Sequence, residues 1–267
     1  MMRSFEELIT EAENAPTEGW DFSWFEGRAT EARPSWGYQR VLGEWLARTA
    51  GGASLDLQTG GGEVLAGALA GALTGGPAGA SGERRPRTMV ATESWAPNAA
   101  KATRLLHPLG VAVVATPDEP PLPFADGAFD LVTSRHPVRP WWDEIARVLV
   151  PGGHYVAQHV GPSSVFEVTE FFLGPQPRDV RSSRHPDQEV AELREAGLEL
   201  VDLRAERLRM EFFDVGAVVH FLRKVVWIVP RFTVEAYRDR LRELDAQIRA
   251  EGPFVAHSTR HLIIARK

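Results

Sequence analysis

The feature that most constrains this chain is the stretch over residues 54–63, which reads S-L-D-L-Q-T-G-G-G-E. Its first four residues have the β-prone pattern of a buried strand that carries one acid, Asp56. Three glycines, Gly60 to Gly62, lead into residues 63–66, which have helix-forming composition. A strand, a glycine turn and a helix in this order predict an α/β fold with a ligand site at the strand's carboxyl end. Glycines let a ligand approach the backbone, and a helix N-terminus offers unpaired N–H groups to an anionic group.

Composition narrows the class of protein. The chain has 267 residues, 43% of them hydrophobic, which is enough for one large domain. Its formal net charge of −6 disfavours a nucleic-acid partner, because polyanion binders usually carry a basic excess. The absence of cysteine excludes disulfides and thiolate chemistry. Residues 1–10 lack a signal-peptide pattern, and no apolar run approaches the roughly 20 residues of a membrane helix, so we expect a cytoplasmic protein with no membrane partner.

Segments typical of strands and helices alternate along the chain. This alternation predicts a doubly wound, mostly parallel α/β sheet of seven strands. Besides the strand before the glycines, the strands are predicted over residues 87–92, 111–115, 129–134, 154–159, 198–210 and 261–265. The helices are predicted over residues 4–14, 38–49, 63–73, 97–106, 143–150, 165–173, 186–196, 214–226 and 232–250.

An acid lies in or just after each of the first three strands. These acids are Asp56, Glu93 and Asp118. With the glycine turn they describe an adenosine ligand that has a short anionic tail, since carboxylates accept hydrogen bonds from ribose hydroxyls and from an adenine amine. The 37 residues between Asp56 and Glu93 exceed the roughly 20 expected after a glycine motif. A low-complexity loop over residues 74–82 explains the excess.

Four blocks of the sequence resemble the class I S-adenosylmethionine-dependent methyltransferases over about residues 38–160. The blocks are L-D-L-Q-T-G-G-G at 55–62, A-T-E-S at 91–94, L-P-F-A-D-G-A-F-D-L-V-T-S at 122–134 and E-I-A-R-V-L-V-P-G-G at 144–153. The last two are similar to the subgroup that often methylates small molecules. The resemblance implies a Rossmann-like methyltransferase fold. The predicted domain organisation is an N-terminal cap over residues 1–37 and a cofactor-binding domain over residues 38–267, with a possible lid insertion over about residues 161–190.

The resemblance also implies S-adenosylmethionine as the cofactor and S-adenosylhomocysteine as its product. The glycine turn would face the methionine carboxylate, Glu93 would accept from the ribose hydroxyls and Asp118 from the adenine amine. Asp56 would reach the amino group, directly or through water. The full set of predicted cofactor-binding residues is Asp56, Gln58, Thr59, Gly60, Gly61, Gly62, Glu93, Ser94, Asp118, Ser134 and Arg135. Gln58 departs from the family, which usually has glycine at that position.

Candidate bases for deprotonating a methyl acceptor are His136, after the fourth strand, and His159, at the end of the fifth. The alternatives are a turn histidine stacked on Trp141 or Trp142 for His136, and a core histidine for His159. An aromatic segment near the N-terminus, from Trp20 onward, predicts either packing of the arm or a substrate pocket. The predicted substrate-binding residues are Trp24, Arg33, Trp36, Tyr38 and Phe171.

These features predict methyl transfer to an oxygen or nitrogen atom of a small, hydrophobic or aromatic metabolite. One alternative is an RNA or protein methyltransferase with a basic face formed by Arg204, Arg207, Arg209, Arg223, Lys224 and Arg231. Another is a degenerate protein without activity, for which Gln58 is the support. The histidines are scattered along the sequence, and this predicts no metal site. A monomer and a homodimer both remain open.

Overall fold

The structure is a computed structural model that describes residues 3–17, 22–74 and 85–267. Trp20 and most of the predicted low-complexity loop lie outside these residues. The strands are β1 Ala29–Glu31, β2 Ala53–Leu57, β3 Thr88–Glu93, β4 Val111–Ala115, β5 Phe129–Arg135, β6 Leu149–Val160, β7 Glu199–Phe212 and β8 Phe254–Arg266. The α-helices are α1 Phe5–Asn14, α2 Tyr38–Arg48, α3 Glu63–Thr74, α4 Ala96–Leu106, α5 Trp142–Val148, α6 Phe166–Leu173, α7 Arg178–Ser182, α8 Pro186–Glu195, α9 Val215–Lys224 and α10 Arg238–Glu251.

The strands form one sheet with the order β1-β7-β8-β6-β5-β2-β3-β4. The five strands from β6 to β4 in this order are parallel, whereas β8 runs antiparallel to β6 and β1 antiparallel to β7. The predicted doubly wound α/β class is therefore confirmed. The sheet has eight strands rather than the seven predicted, because the three residues of β1 (A-T-E) carry no apolar alternation that would reveal a strand.

The chain divides into two compact units. The first contains residues 1–33, 161–183 and 206–259, and the second contains residues 34–160, 184–205 and 260–267. In the first unit, Leu8 and Ile9 of α1 share a buried core with Val218 and Val219 of α9. The predicted cap and lid fall mostly within the residues of this unit, and their boundaries and roles stay predictions.

In the second unit, helices cover both faces of the sheet. On one face, Val156 of β6 packs with residues of α2, α3 and α4. On the other face, Tyr155 and Ala157 pack with residues of α5 and α8. Successive strand residues point to opposite faces, so β6 contributes to both cores. Within the described part of the chain, no helix combines the length and the apolar character needed to cross a membrane.

The sheet also determines where a ligand can bind. The strands β3 and β5 flank β2, and the connections from β2 and from β5 therefore leave in opposite directions. A crevice forms at such a reversal of strand order, outside the carboxyl ends of the strands. The glycine turn after β2 and the residues after β3, β4 and β5 all lie at that edge.

Several predicted boundaries are wrong, among them that of the last strand, which begins at Phe254 rather than at residue 261. The motif Pro151-Gly152-Gly153 does not separate a helix from a strand, because α5 ends at Val148 and β6 already begins at Leu149. The motif instead forms an irregularity within the strand: Leu149 pairs with Phe129, and the next pair is His154 with Leu131. The helix predicted over residues 232–250 begins only at Arg238.

The N-terminus of α1 has a capping box, and its contribution to the stability of the protein can be measured. The Ser4 Oγ accepts from the Glu7 backbone N–H at 3.3 Å, and the Ser4 backbone N–H donates to the Glu7 carboxylate at 2.7 Å. Replacing Ser4 by Ala removes the side-chain acceptor, so we expect a loss of about 1 kcal/mol in unfolding free energy. Urea titration followed by circular dichroism measures it. Ser4→Thr keeps the hydroxyl, so its unfolding free energy should stay within a few tenths of a kcal/mol of the wild-type value. Equal losses of unfolding free energy in the two variants would contradict the capping role.

Candidate functional site

The turn that joins β2 to α3 contains three residues with positive φ, two of which are glycines. Gly60 has φ +65° and Gly62 has φ +86°. A Cβ atom on Gly62 would lie 2.9 Å from Leu106 Cδ1 of α4, so this glycine permits close helix packing. A Cβ atom on Gly60 would meet nothing within 4 Å. Gly60 therefore borders open space at the edge of the sheet where the sequence predicts the cofactor.

Glu93 connects the end of β3 to this turn. Its carboxylate accepts from the Gly60 backbone N–H at 2.8 Å and from the Trp95 backbone N–H at 2.8 Å, one bond to each oxygen. The side chain is buried. Each carboxylate oxygen has a second lone pair, so these two bonds leave acceptor capacity for a ligand. The predicted ribose-binding role of Glu93 stays a prediction.

Gln58, the departure from the family pattern, is held within the turn. It has φ +51°, an unusual value for a residue with a side chain. Its side-chain oxygen accepts from the Ser94 backbone N–H at 2.9 Å, and its own backbone N–H donates to Thr92 Oγ1 at 3.1 Å. Gln58 thus ties the start of the turn to the residues after β3, and two of the predicted cofactor residues, Gln58 and Ser94, lie in direct contact.

Asp56 is buried between β2 and β5. Its carboxylate accepts from Thr133 Oγ1 at 2.6 Å, and the two residues are paired across the strands. Burial raises the pKa of Asp56 to about 6, while the hydrogen bond from Thr133 acts in the opposite direction. The result is a carboxylate that is costly to ionise in the free protein.

Asp118, after β4, is the third predicted acid. Partial burial raises its pKa to about 6, and the charges of Glu93 and Glu119 add to this effect. Glu93 ends β3 and Asp118 follows the adjacent parallel strand β4, so the two predicted acids lie at the same edge of the sheet. In the described part of the chain, no Lys or Arg side chain forms an ion pair with Asp56, Glu93 or Asp118.

Two of the predicted substrate residues contribute to the framework of the second unit. The Tyr38 hydroxyl donates to the Ser134 carbonyl oxygen at 2.9 Å. The Trp36 indole N–H donates to Gln158 Oε1 at 2.9 Å. Both aromatic side chains are buried, whereas Arg135 is exposed. The Ser134 hydroxyl donates to the Leu57 carbonyl oxygen at 3.3 Å.

The other predicted substrate residues, Trp24, Arg33 and Phe171, belong to the first unit, whereas the glycine turn and its acids belong to the second. The Trp24 ring lies 4.3 Å from the His220 ring, with the Arg28 guanidinium 4.0 Å from the Trp24 ring centre. The Phe171 ring packs against Phe172 at 5.1 Å. Arg33 is exposed. A substrate role for these residues stays a prediction. The two aromatic side chains, Trp24 and Phe171, pack against the core of the first unit.

His136 has a defined protonation state. An indole N–H can only donate, so the Gln158 atom that faces Trp36 is the oxygen. The Gln158 amide nitrogen therefore faces His136 Nε2, at 2.9 Å, and donates to it. Burial lowers the pKa of His136 well below its usual value, and the charge of Arg135 adds to this. His136 is neutral, and the lone pair on its Nε2 atom accepts the hydrogen bond from Gln158. To act as a base through this atom, His136 must first break that hydrogen bond.

His159 belongs to a buried cluster that the sequence did not predict. His159 and His261 are direct partners on the antiparallel strands β6 and β8, so their side chains lie on the same face of the sheet. Glu189 of α8 covers that face. Its Oε2 atom lies 2.6 Å from His159 Nδ1 and 2.8 Å from His261 Nε2. Residues 159, 189 and 261 are far apart in sequence; the strand register pairs the two histidines, and the packing of α8 on the sheet adds Glu189.

A cavity of about 320 Å³ adjoins this cluster. It is bounded by residues 137–140, which follow β5, by the end of β6 and by α8, so it lies at the carboxyl ends of two adjacent parallel strands. Its polar and charged lining residues are Arg139, His159, Arg184, Gln188, Glu189 and Glu192. The cavity therefore suits a small polar molecule.

Three of the six basic residues considered for RNA binding are paired with acids. Arg204 pairs with Asp202, Arg207 with Glu167 and Arg209 with Glu211, all at 2.7–2.8 Å. Arg223 donates to the carbonyl oxygen of Ala15 at 3.0 Å. These pairs neutralise half of the proposed basic face, and this weakens the case for phosphate binding.

Comparison with known proteins agrees with this geometry. Residues 68–157 match the family described as a methyltransferase domain, a stretch that runs from α3 to β6. The chain is similar to the structure of a proposed methyltransferase from Bacillus halodurans, with 21% identity, a TM-score of 0.58, and coverage of 86% of this chain and 98% of that one. The sequence has no significant match among curated proteins.

Two further solved structures share the fold. YcgJ from Bacillus subtilis is 17% identical with a TM-score of 0.55, and the match covers 85% of this chain and 97% of that chain. The [4+2]-cyclase SpnF is 15% identical with a TM-score of 0.51, and the match covers 98% and 92%. Together with the domain match, these similarities confirm the resemblance to class I methyltransferases that the sequence predicts.

The buried Asp56 predicts a pH dependence of stability. Because its pKa is raised from 3.8 to about 6 in the folded protein, the protonated acid contributes stability below pH 4 that is lost as the pH rises through 6. Asp56→Asn stays neutral and keeps an acceptor for Thr133. The unfolding free energy of this variant relative to wild type should rise by about 2 kcal/mol between pH 4 and pH 7.5.

Urea denaturation at several pH values, without ligand, measures this difference. Thr133→Val removes the donor that favours the ionised carboxylate, so it should steepen the pH dependence of the otherwise wild-type protein. A difference between Asp56→Asn and wild type that is the same at every pH would contradict the raised pKa.

Proposed function

We propose that this protein, with its methyltransferase domain and class I methyltransferase fold, is an S-adenosylmethionine-dependent enzyme that methylates an oxygen or nitrogen atom of a small molecule. The observation that carries the proposal is the grouping of Glu93, Asp118 and the glycine turn at the carboxyl ends of β2, β3 and β4. An adenosine ligand needs carboxylate acceptors on its ribose and adenine and close backbone approach at its tail.

The charge of the site supports this cofactor over an anionic nucleotide. Three acids lie in or just after adjacent parallel strands, and none forms a Lys or Arg ion pair in the described residues: Asp56 in β2, Glu93 in β3 and Asp118 after β4. S-adenosylmethionine carries a positive sulfonium and a positive ammonium group, which such carboxylates attract. A nucleoside phosphate at this edge would be repelled by them. The open space beside Gly60 provides room for the ligand next to the turn.

When bound, the sulfonium supplies an activated methyl group for an in-line displacement. The protein then has to hold the acceptor atom in line with that methyl group and to keep water away. In the proposed arrangement, Glu93 and Asp118 fix the adenosine, the glycine turn faces the carboxylate, and Asp56 orients the amino group. Ser134 and Arg135 lie at the end of β5, on the side where the acceptor approaches.

The cavity beside His159 supports a small acceptor. Its volume of about 320 Å³ fits a metabolite rather than a macromolecule. The lining combines cationic Arg139 and Arg184 with anionic Glu189 and Glu192. A polar acceptor matches this lining. The hydrophobic or aromatic acceptor expected from Trp24, Trp36 and Phe171 has less support, because these side chains serve packing.

Binding of S-adenosylmethionine by calorimetric titration tests the proposal, and Asp118 provides the sharpest variant. Asp118→Asn replaces the acceptor for the adenine amine by a neutral amide, and we expect S-adenosylhomocysteine to bind about tenfold more weakly, as for the loss of one charge-assisted hydrogen bond. The Asp118 side chain forms no part of the glycine turn, so the thermal midpoint without ligand should stay near that of wild type.

Glu119→Gln is the matched control. It changes the neighbouring acid, which is exposed, and it should leave the affinity unchanged. A loss with Glu119→Gln and none with Asp118→Asn would transfer the adenine contact to Glu119. Absence of binding by the wild-type protein would reject the proposed function and favour a degenerate fold.

A further inference from the structure

We propose that His159, Glu189 and His261 form a binding site for one divalent transition-metal cation. Within the described residues, each of these side chains offers a ligand atom, and the three atoms lie within 4.8 Å of one another. The exposed fractions are 2% for His159, 7% for Glu189 and 0% for His261. The site is part of the second unit of the chain and is separate from the glycine turn and its acids.

The architecture of the cluster is rigid. The two histidines are held on neighbouring strands by the β6–β8 register, with ring centres 5.2 Å apart. Glu189 projects from α8, whose residue Leu193 is fully buried against the same face of the sheet. A site built on strands and a helix keeps its ligands in place more precisely than one on loops.

The charge of the cluster favours a cation. Glu189 is a buried carboxylate, and one of its oxygens accepts hydrogen bonds from the two imidazole rings. No Lys or Arg in the described residues forms an ion pair with Glu189. A buried charge without a counter-charge is costly, and a metal ion would supply that counter-charge.

The chemistry of the donors selects the metal. Two imidazole nitrogens and one carboxylate oxygen suit Zn²⁺ and its first-row neighbours, whereas Mg²⁺ and Ca²⁺ prefer oxygen ligands. Metal–ligand bonds to nitrogen and oxygen are about 2.0–2.2 Å long. The present separations of 2.6 Å and 2.8 Å between Glu189 Oε2 and the imidazole nitrogens need to widen by only about 0.7 Å to reach the ~3.4 Å of a tetrahedral site.

Binding requires a defined movement of protons. The protons on His159 Nδ1 and His261 Nε2 that point to Glu189 must leave these nitrogens, since a metal binds the unprotonated atom. His159 can then carry its proton on Nε2, which lies 3.0 Å from the Tyr155 hydroxyl oxygen. This contact orients the ring as an outer-sphere partner does in known metal sites.

The cavity gives the cation access and open positions. His159 and Glu189 line it as well as belonging to the cluster. Three protein ligands leave at least one coordination position for an exchangeable group, as in catalytic zinc sites. An oxygen or nitrogen donor of a small acceptor in the cavity can occupy that position. This last step rests on the proposed function, whereas cation binding does not.

Metal titration of the full chain tests the proposal. After treatment with EDTA and dialysis, the wild-type protein should bind one equivalent of Zn²⁺ in calorimetry at pH 7.5, with proton release seen as a dependence of the enthalpy on the buffer. Mg²⁺ at the same concentrations should give no comparable signal. Addition of Co²⁺ should produce visible absorption bands characteristic of four or five nitrogen and oxygen ligands.

Variants separate this site from surface histidines. Glu189→Gln and His261→Ala should each weaken Zn²⁺ binding at least about a hundredfold, because each removes one of three ligands. His154→Ala, on the same strand β6 but outside the cluster, should leave the affinity unchanged. The proposal is overturned if the wild-type protein binds no Zn²⁺, or if its binding survives both cluster variants. Either result would leave the three residues as a hydrogen-bonded group, and S-adenosylhomocysteine binding would remain a separate readout of the proposed function.

Discussion

The bond from the Gly60 backbone N–H to the Glu93 carboxylate is the interaction on which the candidate site depends. It joins the turn after β2 to the end of β3, so two adjacent parallel strands present their carboxyl ends as one surface. Gln58 reinforces the same connection through Ser94. Because Glu93 is buried and bonded on both oxygens, the turn is preorganised before a ligand arrives, and binding need not order it.

The parts of the fold set by local pattern were predictable from the sequence. The strand, glycine turn and helix at residues 54–63 and the strand at Val111–Ala115 follow from apolar runs and turn residues. The β1 strand was not predictable, because three residues carry too little pattern. The role of Pro151-Gly152-Gly153 was also missed, since a turn composition can form a bulge inside a strand when neighbouring strands hold both sides.

The site shows a similar limit. The acids Asp56, Glu93 and Asp118 lie in or just after three adjacent parallel strands, so topology alone predicts that they lie towards the same edge of the sheet. The cluster of His159, Glu189 and His261 depends on the register of β6 against β8, which is a long-range property. One signal was present in the sequence: each histidine lies at the end of a mostly apolar strand segment (Y-V-A-Q-H-V and H-L-I-I-A). A polar residue at a buried strand position needs a hydrogen-bond partner, so each histidine indicates a buried polar contact without identifying the partner.

The similarity in fold does not determine which reaction the protein catalyses. The buried acidic residues limit which ligands can bind. The same architecture occurs in a proposed methyltransferase and in the [4+2]-cyclase SpnF, so the sheet alone does not select the chemistry. This chain holds buried acids at two places at the carboxyl edge of the second unit's sheet. Near the glycine turn, Asp56 and Glu93 are buried and Gly60 borders open space, and the proposed occupant is a cationic cofactor. Beside β6, Glu189 is enclosed by two imidazoles and suits a metal ion. No Lys or Arg among the described residues forms an ion pair with these acids. Both proposals therefore invoke a cation from outside the chain, and they differ in which cation fits.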